Sequence, residues 1–254
     1  MHADNFSLQD YFDRIGYRGD AKPDVSTLAA LMRCQLFSVP FENLDVQAGK
    51  VVSLVTEEIF EKIVHRKRGG YCYEVNGVFS MALEALDIPY QFVAARPMFY
   101  PAKRPKTHMA IVATIDGQQW LCDLGFGSYG IRAPMRLDVL DTDVAQDGDT
   151  FMLSKTNARD IVLKAKVDGD WVNQYGFDMS PQEWIDFVPA NYLNSTHPDA
   201  IFVKQYLVVL HNPGGRKILS GDTLKIVEDG DTVKQTVTPE ERRAVLAAHF
   251  GLLV

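Results

Sequence analysis

The spacing of apolar residues changes once along this chain, near Tyr90, and that change limits the folds available to it. Before it the repeat is helical. Leu8, Tyr11, Phe12 and Ile15 follow the cap Ser7-Leu8-Gln9-Asp10 and stop at Gly16. Leu28, Leu31, Met32 and Leu36 predict a second helix ending before Pro40, with Cys34 in its apolar run. Ile59, Phe60, Ile63 and Val64 predict a third, ending in His65-Arg66-Lys67-Arg68. A fourth begins near Cys72. From Tyr90 the period becomes two, with strands expected at 90–95, 151–154, 161–167 and 171–175. Ser180-Pro181-Gln182-Glu183 predicts a helix running through Trp184 and Phe187. Further strands are expected around 202–210, 217–219, 224–227 and 233–237, and Thr238-Pro239-Glu240-Glu241 opens a closing helix. Helices, then strands, then a mixed tail give an α+β chain in sequential segments.

One stretch carries chemistry. In Arg68-Gly69-Gly70-Tyr71-Cys72-Tyr73-Glu74-Val75-Asn76 two glycines permit a sharp bend and a close approach before a helix. Cys72 falls in the first turn, where unpaired N–H groups and the macrodipole favour an anion, and the thiolate is the nucleophilic form of cysteine. A buried inert cysteine after a tight turn is the plain alternative. Its partners lie in a hairpin. The alternating run His108–Ile115 meets Gln118–Asp123 across Asp116-Gly117. With a two-residue turn Ile115 opposes Gln118, Asp123 falls opposite Ala110, and His108 and Asp123 become diagonal neighbours on one face. Cys122 then points to the other face. A three-residue turn would separate the pair. On the first register the imidazole can take the thiol proton while the carboxylate fixes its tautomer. Singly, His108 could equally close a strand and Asp123 cap a turn.

These residues resemble the arylamine N-acetyltransferases. The similarity rests on Arg68–Asn76, on Thr107-His108-Met109, on Asp123-Leu124-Gly125-Phe126-Gly127, and upstream on Val39-Pro40-Phe41-Glu42-Asn43-Leu44. It continues more loosely at Tyr11 with Arg14-Ile15-Gly16-Tyr17, and at Asn191-Tyr192-Leu193. Ordered blocks sharing one triad are more specific than any single motif. The resemblance implies a Cys72–His108–Asp123 triad whose cysteine is acetylated by acetyl-CoA before the group passes to an arylamine or arylhydrazine. It implies a cysteine-protease-like catalytic core: a helical domain over 1–88 carrying Cys72, a β-barrel over 89–190 carrying His108 and Asp123, and an α/β lid over 191–254. It also places Phe41, Phe126 and Gly127 around the acceptor.

Composition narrows the partners. Lys and Arg number 26 against 33 Asp and Glu, a net charge of −7, which argues against a nucleic-acid protein. An anionic CoA therefore needs local cations. Lys103, Arg104 and Lys106, in a loop broken by prolines just before His108, are the candidates, with a solvated surface loop as the alternative. Gly214-Gly215-Arg216-Lys217 and the run at 65–68 are weaker ones. The three cysteines form no disulfide framework, and no metal-ligand spacing appears, so a reducing, cytoplasmic compartment and no metal are expected. The opening residues lack the pattern of a signal peptide, and no apolar run has membrane-spanning length. The same triad could serve a cysteine hydrolase, or the fold could merely bind a small molecule.

Overall fold

The computed structural model describes residues 1–156 and 160–253. Helix α1 (Leu8–Ile15) starts at Ser7, whose hydroxyl accepts the Asp10 N–H at 3.2 Å, and ends at Gly16 with φ 71°. Helix α2 (Val25–Ser38) is capped by Asp24, which accepts the Thr27 N–H at 2.7 Å. Strand β1 (Phe41–Glu42), α3 (Leu44–Gln47) and α4 (Thr56–Phe60) follow, and α4 runs on into a π-helical turn at Glu61–His65. The centre of this part is α5 (Cys72–Ala85), in which every residue from Cys72 through Leu83 is buried.

An eight-stranded antiparallel sheet comes next. Its strands are β2 (Tyr90–Pro97), β3 (His108–Ile115), β4 (Gln118–Cys122), β5 (Met135–Arg136), β6 (Val144–Gln146), β7 (Asp149–Lys155), β8 (Ile161–Val167) and β9 (Asp170–Phe177). They lie in the order β5-β4-β3-β2-β9-β8-β7-β6. Strand β3 packs directly against α5, and the buried residues of both belong to one core.

The tail holds α6 (Val188–Thr196), α7 (Ile201–Lys204), strands β10 (Leu207–Asn212), β11 (Gly215–Ser220), β12 (Thr223–Glu228) and β13 (Asp231–Thr236), and α8 (Arg242–Phe250). Its sheet is completed by β1 from the first third, with Phe41 opposite Val209 and Glu42 opposite Val208. Val208, Leu219, Leu224, Val245, Leu246 and Phe250 form a second, smaller core.

Two sequence expectations need correction. The helix foreseen at Ser180 begins instead as a 3-10 turn at Trp184–Phe187, with the Glu183 N–H donating to Asp186 at 2.8 Å. Gln182 is held extended by a β-bridge to Phe92, so the chain cannot coil earlier. The strand foreseen from residue 202 starts only at Leu207. Phe202 lies in α7, where Asn43 donates its side-chain amide to the Phe202 and Gln205 carbonyls, each at 2.8 Å.

Candidate active site

Cys72 is the first residue of α5 and is 3% exposed. The bend that delivers it needs glycine for lack of space. A Cβ on Gly69 would come 1.9 Å from the Pro40 carbonyl oxygen, and one on Gly70 would meet the Glu74 side chain at 2.6 Å. Gly70 also forms a β-bridge to Phe41, which fixes the turn against β1.

The hairpin adopts the two-residue turn. Ile115 pairs with Gln118 and Ile111 with Cys122, while Asp116 and Gly117 both take positive φ, 50° and 74°. That parity puts His108 and Asp123 together: Nε2 of His108 lies 2.7 Å from Oδ2 of Asp123. Cys72 and His108 share one cavity wall, the Cys72 sulfur acts electrostatically on the ring, and with Nε2 engaged by Asp123 the nitrogen left to face it is Nδ1. Burial opposes charging of the imidazole, but the Asp123 carboxylate and the Cys72 sulfur outweigh it and push His108 up to about 10. Asp123 is also wholly buried. His108, Asn76 and the Gly125 N–H hold its carboxyl below the usual range against that burial.

Several supports were not assigned from sequence. Asn76, one turn beyond Cys72 on the same face of α5, donates to Asp123 Oδ1 and to the Met109 carbonyl and accepts the Leu124 N–H. The Tyr73 hydroxyl and the Asn194 amide each donate to the Thr107 carbonyl at 2.9 Å, pinning the residue before His108. The Tyr175 ring lies 4.9 Å from the imidazole, and burial followed by the Asp123 charge raises its phenol well above the ordinary value. Cys122 is buried, and burial pushes its thiol well up.

Cys72 and His108 form part of the wall of a cavity of about 270 Å³, with Asp123 behind the imidazole. Phe41, Phe126 and Gly127 line it, together with Phe99, Tyr100, Leu193, Phe202 and Leu207. A Cβ on Gly127 would sit 2.7 Å from the Phe41 ring, and one on Gly125 would sit 2.5 Å from the Cys72 Cα. Of the three cations foreseen for phosphate, the structure brings only Arg104 to this cavity, with its guanidinium over Tyr100 at 4.7 Å. Lys106 is turned to Asp178 at 2.7 Å, and Lys103 is exposed. Arg216, the weaker candidate, is buried on Asp149 at 2.7 Å, and Arg68 points inward to Glu42. Among the described residues, no group of His, Cys, Asp and Glu has the geometry of a metal site.

Such a site can ionise a thiol, accept and return its proton, and exclude water around an apolar guest. Comparison with known proteins shows the family. A family model described as N-acetyltransferase matches residues 24–254. The arylamine N-acetyltransferase of Escherichia coli (strain K12) is 32% identical over 252 residues, covering 96% of this chain and 88% of the relative. The Homo sapiens arylamine N-acetyltransferase 1 is 29% identical over 272 residues, covering 96% and 93%. Among solved structures, the arylamine N-acetyltransferase from M. tuberculosis superposes with a TM-score of 0.92 at 31% identity, over 96% of this chain and 93% of the other. The Mycobacterium marinum enzyme in complex with CoA gives 0.91 at 29% identity, over 97% and 93%.

Proposed function

Because this chain belongs to the arylamine N-acetyltransferase family and is therefore an acyltransferase, we propose that it carries an acetyl group from acetyl-CoA to arylamines and arylhydrazines through a thioester on Cys72. The observation that carries this reading is the His108 ring lodged between Cys72 and Asp123 on the wall of an apolar cavity. The thiol proton already resides on Nδ1 of His108, and in the first step the Cys72 thiolate Sγ attacks the thioester carbonyl of acetyl-CoA. The C–S bond to CoA breaks, and the departing thiolate recovers the proton from the imidazolium. In the second step the acceptor nitrogen attacks the acetyl-Cys72 carbonyl. The bond to Sγ breaks, and the proton lost by the nitrogen is taken up by His108, which restores the thiolate–imidazolium pair. Asp123 keeps the imidazole in the useful tautomer and stabilises its charged form.

In this reading Phe41 and Phe126 sandwich the acceptor ring, with Gly127 leaving the room that a side chain would take. Arg104, at the cavity, attracts the CoA phosphates, assisted at longer range by the exposed Lys103, while Lys106 stays paired with Asp178. We also read the chain as three successive domains, 1–88, 89–190 and 191–254, of which the middle one is a barrel. The strands of the eight-stranded sheet all fall within 90–177, which supports that division. A cytosolic setting suits a reactive thiol that must stay reduced; no described helix is long and apolar enough to cross a membrane.

Intact-protein mass spectrometry with acetyl-CoA and no acceptor tests the mechanism. An acetyl group mapping to Cys72 and vanishing on addition of an arylamine is the expected result. If no adduct forms while amides are hydrolysed without CoA, the protein is a hydrolase and the two-step transfer is wrong.

A further inference from the structure

Beside the nucleophile's turn lies a cluster of five charged side chains that the acetyl-transfer steps do not use. The Lys62 ammonium, 8% exposed, meets Asp45 at 2.5 Å, Glu74 at 2.6 Å and Glu42 at 3.8 Å. Arg68 meets Glu42 at 2.7 Å and Asp45 at 3.5 Å. Buried ion clusters seldom add net stability, because desolvation cancels much of the attraction. What they supply is a fixed geometry, and here the geometry ends at Cys72. Glu74 Oε2 accepts the Tyr71 N–H at 3.0 Å, the donor immediately before the nucleophile. The same carboxylate lies over Gly70, whose partner on the far side is β1. The bend entering Cys72 is thus clamped between β1 and Glu74, and Glu74 is clamped by Lys62.

We propose that Lys62 and Glu74 are positioning residues for the transfer reaction: their ion pair holds the backbone turn that sets the Cys72 sulfur against the His108 ring. This rests on Cys72 being the nucleophile. A separate cavity of about 220 Å³, lined by Asp45, Lys50, Glu58, Lys62, Arg66 and Glu74, connects the cluster with solvent. A Glu74 carboxylate deprived of Lys62 therefore has water to turn toward, and in turning it releases the Tyr71 N–H. The geometry asks only for an acceptor at that place, not for a charge. A neutral amide pair supplies one, since one amide can donate to the other while a carbonyl remains for Tyr71.

The test compares Glu74→Ala, Lys62→Met and Lys62→Gln/Glu74→Gln. Two readouts are followed: kcat and KM with acetyl-CoA and an aniline acceptor, and the rate of Cys72 alkylation by iodoacetamide across pH. Glu74→Ala and Lys62→Met should each lose roughly tenfold in kcat, as a small misplacement of a reacting atom does. Alkylation of Cys72 should fall in parallel and its pH profile should move, while KM stays within about twofold because the cluster is not on the substrate side. The amide pair should recover most of both rates. Equal losses in all three variants, or losses that merely follow thermal stability with the alkylation pH profile unmoved, would overturn the proposal. Alkylation needs no acetyl donor. A wild-type protein that never forms acetyl-Cys72 would refute acetyl transfer and still leave this comparison readable.

Discussion

Asn76 Nδ2 lies 3.1 Å from Oδ1 of Asp123, so the helix that begins at Cys72 also holds the carboxylate paired with His108. The Gly125 N–H reaches the same oxygen at 2.9 Å, and Oδ2 is thereby left for His108. Asn76 is fully buried, and its amide joins α5 to both arms of the hairpin. Replacing it with alanine strands the Leu124 N–H and the Met109 carbonyl, at a cost of about 1–3 kcal/mol for each buried group left unpaired. Asn76→Ala should therefore lower the urea midpoint and cut kcat by about tenfold or more. A normal kcat in a destabilised variant would mean that Asp123 holds its position without it.

Part of this site was legible in the sequence. The Asp116-Gly117 turn requires positive φ at both residues, which few other dipeptides tolerate, so the register of β3 against β4 and the meeting of His108 with Asp123 followed from local chemistry. Asn76 was equally accessible, being four residues from Cys72. The Lys62 cluster was not. Its members come from β1, α3, the π-helical turn, residue 68 and α5, and a lysine drawn inward by distant carboxylates looks in sequence like any surface lysine. The basic run at 65–68 shows the difficulty: His65, Arg66 and Lys67 are exposed, as a solvated helix end should be, while Arg68 turns in to Glu42. The helix start at Trp184 escaped for the same reason, because it depends on the bridge to Phe92.

The His108–Asp123 pair should also leave its mark on stability. The folded imidazole is held up at about 10 against an ordinary 6.5, so its contribution is complete below pH 6.5 and drains away as the pH climbs toward 10. Asp123 is held below its ordinary 3.8, so its contribution is present above that value and disappears on acidification. Together they stabilise the fold most between about pH 4 and 6.5. Thermal melts at half-unit pH steps should show an alkaline decline in the wild type that is weaker in Asp123→Asn, where only the Cys72 sulfur still raises the imidazole. Parallel slopes in the two proteins would mean that the pair carries no such charge.

Gly125 and Gly127 should respond differently to the same change. A methyl at Gly125 runs into the Cys72 backbone, which cannot move without shifting the whole first turn of α5. Gly125→Ala should cost about 1–3 kcal/mol of stability and most of the activity. A methyl at Gly127 meets the Phe41 ring first, a side chain at the cavity wall that can tilt. Gly127→Ala should keep the fold and raise KM for bulky arylamines more than for aniline. Competition assays between the two acceptors would register this, and an unchanged preference would remove Phe41 and Gly127 from the acceptor's wall.

The cationic loop offers the sharpest separation of sequence expectation from structure. Lys106 already has Asp178 at 2.7 Å, and that contact, ahead of the opposing effect of burial and with help from the Ser180 N–H, holds the Asp178 carboxyl down at about 2. Drawing Lys106 toward a phosphate would break this pair. Among the described residues Arg104 forms no close ion pair, and only the exposed Asp199 carboxylate feels its charge at longer range. Arg104 stacks on Tyr100, donates to the Asp199 carbonyl at 3.3 Å, and stands at the cavity. A planar guanidinium so placed can take two phosphate oxygens at once, which an ammonium cannot. Arg104→Ala should therefore raise the KM for acetyl-CoA by about tenfold, the worth of one charge-assisted contact, with kcat little changed. Lys106→Ala should leave that KM near its original value and chiefly loosen the link to Asp178. Steady-state kinetics at two salt concentrations separate the cases, since only the Arg104 effect should shrink as salt screens the phosphates. A larger effect from Lys106 than from Arg104 would move the phosphate site away from the cavity mouth and onto the far side of the loop.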